Sequence, residues 1–447
     1  MAKLYTPGRA NFAEITLTNT AGTETLNIAD ILAELSYYED IFSPAIACSF
    51  MLVDALALRS SLPIAGGEVF KLKLRSLGDD DDDAEIETKL QVYKTSESFF
   101  YNETTEAYSL FATTEELLTN EHTDRLIRRG TSDFTIDKVA NNIFIDNISK
   151  VSNKKFITVE ETEGVFDHTF PSVSPFKAMN MMCAEAKSAK NVASNFVFYE
   201  TADGYHFVTL QELMKKKSID SYVYMEETDS IHTKKDFQDV KDYQKIISSE
   251  LVGGVSLLEG AMKGTFSGIT KTLDVLAKSF FTKAYNYAED FKSLHPDSKK
   301  DEKKILTPES IRKFTSSPTN ESFVTTNSKV SQLNYVASFQ PEMQQSFQKV
   351  QDFAAIEKAA TEQLLSQRIN VMIHGNPRIH AGDTVDLTFP ETSTTEKGKR
   401  RTNDETTGKY LIIAVVHRVN NATHKYITIM ECVKDSSRTQ PQIEDGF

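Results

Sequence analysis

The chain has 447 residues, with 64 acidic against 50 basic side chains and a formal net charge of −14. That length accommodates about three domains, each with its own core. A hydrophobic content of 40% with 26% charged residues excludes a wholly disordered chain. The acidic balance excludes a protein that grips nucleic acid over its whole surface, because Lys and Arg carry phosphate binding.

The first hundred residues read as β. Ile46, Cys48, Phe50 and Leu52 alternate with smaller or more polar neighbours, the period of a half-buried strand. Phe70, Leu72 and Leu74 alternate with Lys71, Lys73 and Arg75, and Ile86, Thr88, Leu90 and Val92 repeat the pattern after Gly78 and the run Asp79, Asp80, Asp81, Asp82 and Asp83. Two amphipathic strands around a Gly-Asp cluster predict a long hairpin with a charged tip. Successive strands of this kind predict a small antiparallel barrel or sandwich.

From about residue 113 the period changes. Ile136, Val139, Ala140 and Ile143 mark one helix face, and Ser174-Pro175 starts a second helix buried through Phe176, Met179, Cys183 and Ala186. Phe196 to Tyr199 and Tyr205 to Val208 flank Asp203-Gly204, a hairpin signal. Strands return at Tyr222 to Met225 and Gly264 to Leu276. The stretch from His295 to Lys329 is rich in Lys, Ser, Thr, Asp and Pro, which predicts a long exposed insertion. A helix striped by Phe353, Ile356, Ala360 and Leu364 follows, and the chain closes with strands at Ile369 to Ile373, Val385 to Phe389 and Tyr410 to Val416.

The residues that could carry chemistry point elsewhere. Cys48, Cys183 and Cys432 are far apart with no CxxC pair, which predicts reduced thiols rather than disulfides or a zinc knuckle. No Gly-x-Ser-x-Gly turn, His-Glu-x-x-His helix or phosphate loop occurs. His374 and His380 are separated by a Gly-Asn-Pro turn, and read as polar residues at strand ends, as do His417 and His424. The Asp79–Asp83 run lacks the ligand alternation of a calcium loop, leaving a solvated tip or a charged contact. Lys397, Lys399, Arg400 and Arg401 form a basic loop between two strands, read as a solvated loop, a contact with an acidic protein surface or a phosphate contact. The longest apolar stretch, Leu251 to Met262, is about half of the ~20 residues a membrane span needs. The expectation is a non-enzymatic chain with no catalytic, metal or cofactor residues and no membrane segment.

Three stretches then carry a resemblance. Tyr38-Glu39-Asp40-Ile41-Phe42-Ser43-Pro44 with Leu62-Pro63-Ile64-Ala65-Gly66-Gly67-Glu68, Ser174 to Ala178 with Phe198-Tyr199-Glu200 and Asp203 to Phe207, and Gly375-Asn376 with Ala381-Gly382-Asp383-Thr384-Val385, Gly408 to Ile412 and His417 resemble, in order, the central baseplate hub proteins of contractile-tailed bacteriophages. The resemblance implies an α+β, mainly β chain in which two tail-tube-like antiparallel β-barrels flank an α+β middle domain. The boundaries expected are residues 1–112, 113–225 and 226–435, the last interrupted at about 295–329, with a tail over 436–447. It further implies a homotrimer whose six barrels form a pseudo-sixfold ring. That ring would join the tail tube protein to the spike protein, contact baseplate wedge proteins and the tape measure protein, and pass DNA in transit. The implied location is the virion tail baseplate, assembled in the host cytoplasm. The insertion, the acidic tip and the basic loop depart from the family pattern. Asp79–Asp83 is a candidate lumen or ring contact. The competing readings are a tail-associated peptidoglycan hydrolase, which needs a carboxylate pair or metal cluster in a cleft, and a tube or neck ring protein without hub role.

Overall fold

The computed structural model describes residues 8–76 (except 56, 63 and 65), 85–224 (except 97, 129, 153, 165, 192 and 193), 244–253, 258, 262, 266–274, 279–286, 303–304, 321–324, 356–357, 360–361, 364–365, 367–390, 403, 406–434 and 436–437. The first strands are β1 (Ala10–Thr18), β2 (Thr25–Asn27), β3 (Leu32–Asp40), β4 (Ala47–Asp54), then the short helix α1 (Leu58–Ser61), β5 (Val69–Ser76), β6 (Glu85–Thr95), β7 (Phe99–Asn102) and β8 (Thr105–Thr113). They pair in the order β2-β1-β5-β6-β8-β4-β3, with β7 continuing β6 along β8. The alternation in β5 and β6 has its expected consequence: Phe70, Leu72, Leu74, Ile86, Leu90 and Val92 are buried, with Ile15, Leu17, Leu35, Tyr37 and Phe50, in one core. Phe50 stacks on Phe70 at 4.3 Å between ring centroids. Each such fully buried side chain contributes about 1.5–3 kcal/mol relative to exposure.

An α+β layer follows: α2 (Glu115–Thr119), β9 (Gly130–Phe134), α3 (Ile136–Ile143), a π turn over Phe144–Ile148, α4 (Ser149–Ser152), β10 (Phe156–Val159), β11 (Phe166–Thr169), α5 (Pro175–Cys183), β12 (Phe196–Thr201), β13 (Gly204–Thr209) and α6 (Leu210–Lys215). Ile136, Val139, Ala140 and Ile143 are buried, as their helical spacing requires. Pro175 occupies the first turn of α5 behind Ser174, where its missing N–H is no loss. The β12–β13 register pairs Thr201 with Gly204, so Ala202 and Asp203 form the loop and Gly204 opens the return strand. Every residue of both strands is buried. Phe196, Phe198, Tyr205 and Phe207 join the core of α3 and α5, whereas Val197, Tyr199 and Val208 join the core of the C-terminal strands. That explains why Phe196 to Tyr199 is an apolar run without alternation.

The remaining strands are β14 (Asp220–Tyr224), β15 (Lys245–Gly253), β16 (Ser267–Asp274), β17 (Ser279–Asn286), β18 (Lys303–Lys304), β19 (Glu321–Val324), β20 (Arg368–His374), β21 (Thr384–Thr388), β22 (Gly408–Asn420), β23 (Lys425–Val433) and β24 (Ser436–Ser437). Six of them close a ring, β22-β21-β14-β15-β20-β23 and back to β22. Both ladders of β14 are parallel, a direction that alternation in a sequence does not encode. Its core holds Val371, Ile373, Val385, Leu387, Tyr410, Ile412, Val415 and Met430. The chain is thus α+β and mainly β, with two β modules flanking a helical layer. One ladder, Asp40↔Ala414 to Glu34↔Asn420 between β3 and β22, merges the two modules into a continuous fourteen-stranded sheet. Inside the polar 295–329 stretch, β18 pairs β24 and β19 pairs β16; its other residues lie outside those described. Among the described residues, no helix is long and apolar enough to cross a membrane.

Candidate functional site

The residues that bring the three parts of the chain together are buried and charged. Glu39, near the end of β3, is 1% exposed. It accepts hydrogen bonds from the Tyr37 hydroxyl at 2.8 Å, the Ala202 amide at 2.8 Å and the Ala381 amide at 3.0 Å. His380 Nδ1 lies 3.1 and 3.2 Å from its two oxygens. Ala202 belongs to the β12–β13 loop, and His380 and Ala381 to the turn between β20 and β21. One carboxylate therefore fastens the first module to both later parts.

The electrostatics follow from that geometry. Burial alone would raise the Glu39 carboxyl, but the His380 charge and the hydrogen bonds from His380, Tyr37 and Ala381 bring it down to about 2. Burial would likewise discharge His380, but Glu39, aided by Asp203 and Asp383, raises it to about 9. The pair is ionised through the neutral range. The turn is shaped for it: Gly382 has φ +85°, and a Cβ there would stand 2.1 Å from the Tyr199 hydroxyl. Asp383 accepts from the His380 amide at 3.1 Å. Two neighbouring imidazoles are held neutral. Burial, then Lys216, lowers His206 to about 4, and burial lowers His417 to about 4. Neutral His417 donates from Nε2 to the Ile379 carbonyl at 3.0 Å and accepts at Nδ1 from the Tyr426 hydroxyl at 2.9 Å.

A second buried carboxylate repeats the logic. Glu200, in β12, accepts from the Ile46 amide at 3.2 Å and pairs with the Lys154 ammonium, which lies 3.6 Å from Glu116 of α2. Burial, with the negative charge of Glu116, pushes Glu200 up to about 7 against the pull of Lys154. Both carboxylates are buried, each 1% exposed, and their hydrogen bonds and ion pairs join different parts of the chain. Among the described residues, no group of three or more His, Cys, Asp or Glu is placed to hold a metal ion.

Asp79, Asp80, Asp81, Asp82 and Asp83 fall between β5 and β6, and Lys397, Lys399, Arg400 and Arg401 between β21 and β22; both lie outside the described residues. The ladder that leads to the acidic run ends at Arg75↔Glu85, whose side chains pair at 2.6 Å. Glu39, His380, Glu200 and Lys154 carry no local signal of partnership. Glu39 and Glu200 do lie within the motifs Tyr38 to Pro44 and Phe198-Tyr199-Glu200, and His380 immediately precedes Ala381 to Val385. Their contact across 341 positions is a property of the folded chain.

No family model and no curated protein matches the sequence. Solved structures do match. The tail protein from Neisseria meningitidis MC58 aligns with TM-score 0.52 at 10% identity, covering 94% of this chain and 97% of that one. The 43 kDa tail protein of prophage MuSo2 from Shewanella oneidensis aligns with TM-score 0.53 at 9% identity, covering 94% and 98%. Nearly end to end, this chain has the fold of these two tail proteins.

Proposed function

We propose that this chain is the structural hub of a contractile-tail baseplate. In this reading it is a non-enzymatic homotrimer, its pseudo-sixfold ring joining the sixfold tail tube to the threefold spike and leaving a channel for DNA in transit. The observation that carries the proposal is one chain building two β modules, the second a closed ring of six strands, fused edge to edge by the β3–β22 ladder. Three copies then supply six wall segments, matching a hexagonal tube on one face and a threefold spike on the other. The end-to-end fold likeness to tail proteins supports it. So does a junction of buried carboxylates, which suits a rigid adaptor better than a cleft enzyme.

The parts proposed are a first module over 1–112, a middle domain over 113–225 and a second module over 226–435, with a tail over 436–447. The tail tube, spike, baseplate wedge and tape measure proteins are the partners, and the virion tail baseplate, assembled in the host cytoplasm, is the location. Asp79–Asp83 lines the lumen or a ring contact, where like charge repels sliding phosphates. Lys397, Lys399, Arg400 and Arg401 meet an acidic partner. Interfaces of such obligate assemblies bury on the order of 2,000 Å² or more.

Native mass measurement of the purified chain, with electron-microscopic views down the ring axis, tests the reading. Three chains and six similar wall segments are expected. A hexamer or dodecamer would instead favour a tube or neck ring. Cell-wall degradation by the purified chain, abolished by a point substitution in it, would establish a hydrolase.

A further inference from the structure

Two buried carboxylates converge on one ammonium where the first module meets the helical layer. Glu200 of β12 and Glu116 of α2 are 1% and 3% exposed. The Lys154 ammonium pairs with Glu200 and stands 3.6 Å from Glu116. Buried acids and lysines are tolerated as pairs, and here the count is uneven, two acids to one base. Among the described residues, the other titratable groups facing Glu200 are two phenols, Tyr205 of β13 and Tyr37 of β3, both held neutral by burial. Tyr205 also faces Glu116 and lies with its ring 5.9 Å from the Lys154 ammonium. The Tyr37 hydroxyl is given to Glu39, whose charge His380 balances. From α5, the contact with β12 is apolar, Phe176 on Phe198.

A buried negative charge without its own cation is costly, and two carboxylates beside each other relieve it by keeping a proton. Burial first, with Glu116 adding to it, outweighs the Lys154 charge and raises Glu200 to about 7. What Glu200 holds links the site to the fold. One of its oxygens takes the Lys154 ammonium, and the other accepts the Ile46 amide at 3.2 Å, across 154 positions. The Thr113 hydroxyl donates to the Ile46 carbonyl at 2.7 Å. The peptide that leads into β4 is therefore gripped by the middle layer on one side and by the end of β8 on the other.

We propose that Glu116 and Glu200 hold one proton between them beside Lys154, and that its loss loosens the grip of β12 on the entry of β4. With the proton in place, one carboxylate balances one ammonium. Without it, the site carries a net negative charge away from water, and the Lys154 side chain, 19% exposed, is its link to solvent. The closed junction binds the proton more tightly than an opened one, where Glu200 returns toward its ordinary value of 4.5. The grip is therefore firmest below 4.5, weakens as pH climbs to about 7, and stays at its weakest above that. The Glu39–His380 pair is ionised throughout the interval from 4.5 to 6.5, so it does not supply this slope. The latch works within one copy of the chain and does not depend on how copies assemble.

Amide hydrogen exchange of the full-length chain tests it, read by mass spectrometry on overlapping peptides that isolate Ile46 and corrected for the intrinsic effect of pH. Protection of Ile46 is expected to fall by up to about tenfold per pH unit toward pH 7 and then to level off, the most that one linked proton allows. Glu116→Gln removes the like charge and should end the fall at a lower pH. Glu200→Gln should abolish the pH dependence. A purely structural role for these side chains would change protection by the same factor at every pH, and that result would overturn the proposal. So would native protection that is level up to pH 7, or a Glu116→Gln profile that ends where the native one does. Those two readings stand even if Glu200→Gln fails to fold.

Discussion

Glu39→Gln is the sharpest probe of the junction, because it keeps the shape of the side chain and removes its charge. The Glu39 carboxyl moves from 4.5 to about 2 and His380 from 6.5 to about 9. Each displacement corresponds to about 3 kcal/mol, and because both describe one ion pair they count once. The sign follows from each partner. The depressed carboxyl contributes fully above its unfolded value near 4.5 and is lost as pH falls toward about 2. The raised imidazole contributes fully below 6.5 and is lost as pH rises through about 9. The difference in stability between the native chain and Glu39→Gln should therefore be greatest between 4.5 and 6.5 and shrink toward about 9. At its greatest it should be about 3–5 kcal/mol, the cost of stranding one member of a buried pair. Thermal melts of both proteins across pH, followed by circular dichroism, read it directly. A depression of the unfolding midpoint by roughly 3–5 °C is expected near pH 6. A difference that stays constant up to pH 9.5, or falls below about 1 kcal/mol near pH 6, would refute the assignment of this pair as the fastening of the three parts.

Other expectations follow from the same geometry. Glu200 is raised to about 7, so its contribution falls as pH climbs from 4.5 toward 7; Glu200→Gln should remove that decline, visible as a difference between native and variant melts that changes over the interval. Gly382→Ala combines a φ of +85° with a 2.1 Å approach to the Tyr199 hydroxyl and should cost about 2–4 kcal/mol in denaturant titrations. The Tyr199 hydroxyl is buried without a hydrogen-bond partner among the described residues. Tyr199→Phe should therefore be neutral or slightly stabilising alone, and should recover part of the Gly382→Ala loss when combined with it; strict additivity would argue against the contact. Burial raises all three thiols, so a thiol reagent should label none in the folded chain and three after unfolding.

Periodicity alone specified the local elements of this protein. Strict alternation in Phe70 to Arg75 and Ile86 to Val92, the helical spacing of Ile136 to Ile143 and the Ser174-Pro175 start each have one low-energy solution, because neighbouring side chains must reach one side of the backbone. The absence of a legible catalytic motif was visible too. Tertiary structure decided which strand edges meet. That β22 turns from β21 to β3 along its length, that β14 pairs in parallel on both sides, and that Glu39 finds His380 across 341 positions all depend on long-range register. A residue carries its own face preference in its side chain, but a backbone N–H or C=O is the same in every strand. Only the closed geometry of the assembled cores selects which one it bonds.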